Sequence, residues 1–208
     1  MKEKLLEIYG KLLDRFSYQN WWPAQTKDEM VIGAILTQNT AWSNVEKAIL
    51  SLKNANLCSL YKIHTSNFDK LKECIKPAGF FNQKAQYLKN TAEFFVENGS
   101  FYKLNSFDTQ TLRRMLLSIT GIGRETADSI LLYAFNRAIF VVDAYTKRLI
   151  KRHGLSDKLN YDDVQNLFMQ NLERDTKLFG EYHALIVKNA KEFCRSKPLC
   201  ENCPLLGV

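Results

Sequence analysis

At 208 residues and 46% hydrophobic, the chain can bury one large core or two small ones. Its 29 Lys and Arg against 22 Asp and Glu leave a net charge of +7, the sign expected for a polyanion partner. No apolar run approaches the roughly 20 residues of a membrane span. The stretch from Met1 to Tyr9 has acidic residues and helical spacing in place of a signal h-region. The chain reads as a cytoplasmic monomer with no membrane association.

Taken in order, Leu5, Ile8, Leu12 and Phe16 form a first helical stripe, closed by a break at Asn20–Thr26. Met30, Ala34 and Ile35 begin another stripe, and further breaks fall near Pro77–Gly79 and Asn98–Ser100. Leu112, Met115, Leu116 and Ile119 make a third stripe, and Ala127, Ile130, Leu131 and Ala134 a further apolar face. The short run Ala138–Val142 has a length that does not separate a strand from a buried turn. A last break lies around His153–Ser156. With strand-like alternation scarce and no repeat, the pattern predicts an all-α protein of about ten helices.

The segment Ile119–Ala127 reads as a helix end, a Gly-x-Gly turn and a second helix start. Gly121 and Gly123 suit positive φ angles, and without Cβ atoms they let a phosphate approach the backbone. The amides around Arg124 and Thr126 would face that anion with the helix dipole behind them. In isolation an ordinary helix–turn–helix corner fits equally well; the basic composition moves the balance toward phosphate. Asp143 follows sixteen residues after Ala127. Read locally it is first an N-cap for the helix bearing Lys147, Arg148 and Ile150. A cap also fixes a carboxylate in place, so capping and catalysis are compatible.

These residues together resemble the endonuclease III superfamily of DNA glycosylases. The helix–hairpin–helix Ile119–Ala134 with Val141–Asp143 carries the likeness, joined by Ile35–Thr40, Gly79–Ala85 and the series Cys194, Cys200, Cys203. The resemblance implies a two-lobed, all-α helix–hairpin–helix glycosylase fold with a DNA groove between the lobes. It implies a six-helix barrel over 27–136, and a second lobe of 1–26 with 137–208. Double-stranded DNA is the implied partner. Gln38, beside Asn39, would fill the gap left by a flipped nucleotide, and Phe80 would wedge the opposite strand. Asp143 would be the catalytic carboxylate, acting on the positive charge that develops on the sugar or on the attacking water.

Bifunctional members of the family carry Lys where this chain has Glu125, and Glu cannot form the imine that leads to strand cleavage. The expectation is a monofunctional glycosylase that leaves an abasic site. Trp21, Trp22 with Pro23, and Trp42 are the whole tryptophan content. Trp42 is placed one helical turn beyond Gln38 on the same face. With Glu125 they resemble the base pocket of the 3-methyladenine glycosylases of endonuclease III type. A cationic alkylated purine is attracted to such aromatic faces by about 0.5–2 kcal/mol. An adenine-mismatch enzyme would need an additional Glu where Ala34 stands. A thymine- or uracil-mismatch glycosylase of the same fold is the alternative substrate reading, and a non-catalytic hairpin DNA-binding protein the alternative of another class.

Close-set thiols in a chain of this kind point to metal before disulfides. The family's cluster loop spaces four Cys by six, two and five residues. Here five residues separate Cys194 from Cys200, and Cys203 is followed by Pro204–Val208 with no fourth Cys. A [4Fe–4S] cluster is the expectation; a fourth Cys beyond Val208, a substitute ligand, zinc in place of the cluster and an empty site all stay open.

Overall fold

The computed structural model describes residues 1–208. They fold as α1 (Lys2–Phe16), α2 (Lys27–Leu36), α3 (Trp42–Asn54), α4 (Leu60–Thr65), α5 (Phe68–Ile75), α6 (Phe81–Glu97), α7 (Ser100–Leu104), α8 (Thr109–Leu117), α9 (Arg124–Ser129), α10 (Ala144–Arg152), α11 (Tyr161–Asn171) and α12 (Thr176–Glu192). There is no strand. No helix is long and apolar enough to cross a membrane. The chain divides into two compact units: Pro23–Phe135, and Met1–Trp22 with Asn136–Val208.

In the unit Pro23–Phe135, α2 is the hub because it is apolar on every face. All its residues from Glu29 to Leu36 are buried, and α3, α6 and α9 surround it. Its start is set by Thr26, whose hydroxyl accepts from the Glu29 amide at 3.1 Å. The Glu29 carboxylate accepts in turn from the Gln25 amide at 3.2 Å and pairs with Lys53 at 2.9 Å. α9 runs on into one π turn, Ile130–Ala134, which is buried except at Tyr133. The rings of Phe95, Phe101 and Phe135 cluster at centroid distances of 4.8–6.3 Å.

In the other unit, the i, i+3, i+7 stripe Leu5, Ile8, Leu12 of α1 is fully buried, and α1 and α10 both pack on α12. The Tyr182 hydroxyl donates to the Leu5 carbonyl at 2.8 Å. Phe140 stacks on Phe168 at 3.8 Å, and Phe179 and Tyr182 meet Phe140 edge-on. Truncating such a ring costs about 3–5 kcal/mol. The Ala138–Val142 run is an irregular segment buried from Ile139 onward, not a strand. The Gln165 amide donates to the Phe140 carbonyl at 2.7 Å, supplying a bond that a neighbouring strand would otherwise make. Ring stack and amide together fix the backbone that delivers Asp143.

Candidate active site and nucleic-acid interface

The hairpin lies within the unit Pro23–Phe135. Its two helices, α8 and α9, are pinned by a bidentate pair: Arg113 Nε and Nη2 donate to the fully buried Asp128 carboxylate at 2.6 and 2.9 Å. The two glycines of the turn differ. Gly121 has φ +100°, and a Cβ there would come within 2.1 Å of the Tyr87 ring. Gly123 is extended, at φ −88° and ψ 179°, so the positive φ anticipated for both glycines occurs only at Gly121. A Cβ on Gly123 would meet nothing within 4 Å. Its use is the open approach it leaves to the amides that begin α9. Arg124 and Glu125 are exposed there, and Thr126 is buried.

Two loops of the same unit carry the other nucleic-acid candidates. Gln38 follows the end of α2, and its side-chain amide donates to the Gly121 carbonyl and the Thr126 hydroxyl, both at 3.1 Å. The gap-filling candidate is thus tied to the hairpin. Asn39 is exposed in the left-handed region at φ 51°. Residues 37–40 form a turn, Ala41 caps α3, and Trp42 is its first residue, half-buried. Gln38 and Trp42 therefore do not share a helical face, contrary to the spacing argument; the helix stops at Leu36 and restarts. Phe80 stands 66% exposed at φ 47°, after Gly79 at φ 66°. A large ring left in solvent at a strained turn is uncommon for packing alone.

In the unit Met1–Trp22 with Asn136–Val208, Asp143 caps α10. Its Oδ1 accepts from the Thr146 amide at 2.6 Å and the Thr146 hydroxyl at 2.9 Å, while Oδ2 lies 3.5 Å from His183 Nε2. Burial pushes the Asp143 carboxyl up, but His183 and the two Thr146 donors outweigh it and hold the group below the usual carboxylate range. Six helices have a side-chain N-cap: Thr26, Asn67, Asp108, Asp143, Asn160 and Asp175. Five are exposed; Asp143 alone is buried, at 8%. A cap contributes about 1 kcal/mol, whereas burying an ionised carboxylate costs several. Capping does not account for that burial.

Trp21 and Trp22 end the first stretch of this unit, half-buried, with ring centroids 5.0 Å apart; Pro23 is exposed. Cys194 is buried, and its sulfur accepts from Arg152 at 3.1 Å. Arg152 also donates to the Arg195 and Ser196 carbonyls, and Arg148 to the Cys194 carbonyl. Cys203 donates to Asn189 at 3.7 Å, and Cys200 is exposed. No three His, Cys, Asp or Glu side chains are grouped to hold a metal ion. Cys194, Cys200 and Cys203 are the thiols that would hold a cluster, and one of them faces a guanidinium.

Sequence reasoning missed His183, Thr146, the Arg113–Asp128 pair and Lys84. Thr146 alone carried a local signal, since a residue three beyond a capping Asp is the natural donor.

Known proteins resemble this chain over most of its length. The family model for HhH-GPD superfamily base excision DNA repair proteins matches residues 32–174. A Methanocaldococcus jannaschii protein, provisionally named a DNA repair glycosylase, is 54% identical over 98% of this chain and 94% of its own length. Endonuclease III of Sulfolobus acidocaldarius is 31% identical over 83% of this chain and 77% of its own. The crystal structure of Helicobacter pylori 3-methyladenine DNA glycosylase bound to 1,N6-ethenoadenine superposes with a TM-score of 0.79. It is 32% identical and covers 92% of this chain and 97% of that one.

Proposed function

Because the chain belongs to the HhH-GPD superfamily of base excision DNA repair proteins, and so is a DNA repair glycosylase, we propose that it is a monofunctional enzyme. In this reading it flips an alkylated purine, 3-methyladenine first among them, from double-stranded DNA and leaves an abasic site. The observation that carries the proposal is Asp143, the one buried carboxylate among six helix caps and held ionised. When the N-glycosyl bond breaks, its electron pair leaves with the base and C1′ becomes electron-poor. A fixed carboxylate stabilises that charge or takes the proton from the water that adds to C1′. An alkylated purine already carries positive charge and departs neutral, so no strong acid is required to protonate it.

The other residues take roles suited to their settings. The amides of the exposed residues Arg124 and Glu125, with Gly123 open beside them, grip a phosphate. Gln38 fills the emptied stack and Phe80 wedges the opposite strand. Trp42, Trp21 and Trp22 offer half-buried aromatic faces to a cationic base. Glu125 stands where an imine-forming amine would be required, which supports simple hydrolysis over strand cleavage. The identity to the 3-methyladenine enzyme supports the choice of base.

The test is release of free bases from methylated duplex and from thymine or uracil mismatch duplexes, resolved by chromatography. The proposal expects 3-methyladenine to appear in the first and nothing in the second. Release of thymine or uracil with methylated DNA untouched would move the enzyme to the mismatch class. No release from either would place its substrate base outside both classes and overturn the choice of 3-methyladenine.

A further inference from the structure

Lys84, on α6, is a lysine to which the sequence reading gives no role, and it is 2% exposed. Its ammonium group uses all three protons: on the Leu36 carbonyl at 2.8 Å, the Ala78 carbonyl at 2.9 Å and the Thr40 hydroxyl at 2.6 Å. The Thr40 hydroxyl donates to the Ala78 carbonyl at 2.6 Å and lies 3.2 Å from the Gln38 carbonyl. Leu36 is the last residue of α2, where a carbonyl is left without a helical partner. Ala78 ends a short 3₁₀ turn, Lys76–Ala78. Leu36 stands two residues before Gln38, and Ala78 two residues before Phe80. One ammonium group thus ties together the roots of both loops whose tips are read as entering the duplex.

We propose that Lys84, with Thr40, is a positioning residue that holds the Gln38 and Phe80 loops in fixed register so that gap filling and strand wedging occur together. The proposal rests on the roles given above to Gln38 and Phe80. Its physical basis is that a flipped base stays out only while both loops occupy the duplex, and misplacing either by about 1 Å can cost a hundredfold in rate. An apolar residue on α6 would fill the space without linking the loops. Burial lowers the Lys84 pKa to about 8, so the buried ammonium is kept at a cost in folding free energy.

The test compares Lys84→Met, Thr40→Val and Thr40→Ser. The readouts are melting temperature, affinity for undamaged duplex, 2-aminopurine fluorescence beside a modified base, and single-turnover base release. Thr40→Val keeps the fold if Lys84→Met does not, and Thr40→Ser restores the bridging hydroxyl. Flipping fluorescence and release are expected to fall about 10- to 100-fold in the folded Met or Val variants, with undamaged-duplex affinity unchanged and Ser close to wild type. Flipping that survives in folded Lys84→Met or Thr40→Val, while Gln38→Ala and Phe80→Ala abolish it, would overturn the positioning role alone. If Gln38→Ala and Phe80→Ala also leave flipping intact, the loop assignment falls and this proposal with it.

Discussion

Two aspartates begin helices in this chain by the same device and end in opposite environments. Asp108 heads α8 in the hairpin unit, and its Oδ1 accepts from the Gln110 and Thr111 amides at 3.0 Å. It stands in solvent, and its hydrogen bonds to Thr111 lead in lowering its pKa. Asp143 heads α10 by accepting from the amide and hydroxyl of Thr146, but it is buried, with His183 3.5 Å from its other oxygen. Local sequence chemistry makes the cap; tertiary packing decides whether the carboxylate is merely satisfied or is desolvated and aimed. A desolvated, fixed charge interacts with a developing cation far more strongly than one in water.

The sharpest way to break this contrast is to make the same change at both sites. Asp143→Asn is expected to slow base release about 10²- to 10³-fold, the usual loss when one preorganised electrostatic group is removed. Asn caps as well as Asp, so melting should stay within about 4 °C of wild type. Asp108→Asn should leave release unchanged. Equal activity in both variants would reduce Asp143 to a cap.

A second pair sits in the hairpin turn. Gly121→Ala forces a Cβ into the Tyr87 ring at φ +100°, and should destabilise the protein by about 1–3 kcal/mol in denaturant unfolding. Gly123→Ala meets nothing and keeps an ordinary φ. It should leave stability unchanged or raise it by about 0.4–1 kcal/mol, while weakening binding to damaged and undamaged duplex alike. Loss of stability at Gly123 without loss of affinity would assign that glycine to the fold and not to phosphate.

The smallest effect concerns Lys84. Its folded pKa lies near 8 against 10.5 for the free side chain, so between those values the unfolded chain holds the extra proton. The burial penalty is full below pH 8 and fades as pH rises. Wild type should therefore gain stability relative to Lys84→Met between pH 8 and 10.5, as read by unfolding at several pH values. A flat difference would mean that the three acceptors offset the burial penalty and that the Lys84 pKa is not lowered in the fold.

How far the sequence could be read depended on whether each signal was local. The hairpin was legible because helical stripes on either side of Gly121 and Gly123 leave few other geometries. All-α character was legible for the same reason, since period-3.6 stripes recur along the chain. The Gln38–Trp42 spacing misled because Asn39, the one residue of Thr37–Thr40 suited to end a helix, takes a positive φ there and breaks the register. The burial of Asp143 was not legible: its neighbour His183 lies forty residues on in sequence. Lys84 was hidden because a lysine on an amphipathic helix usually faces water. Contacts between distant segments leave no periodic trace.

The central claim is hydrolysis of the N-glycosyl bond with the sugar–phosphate strand left whole. End-labelled methylated duplex incubated with wild-type enzyme, then resolved on a denaturing gel with and without alkali, tests it most directly. Intact strands before alkali and enzyme-dependent breaks after it, with no covalent adduct when borohydride is present, are the result this account predicts. Strand breaks before alkali, or a borohydride-trapped adduct, would contradict it.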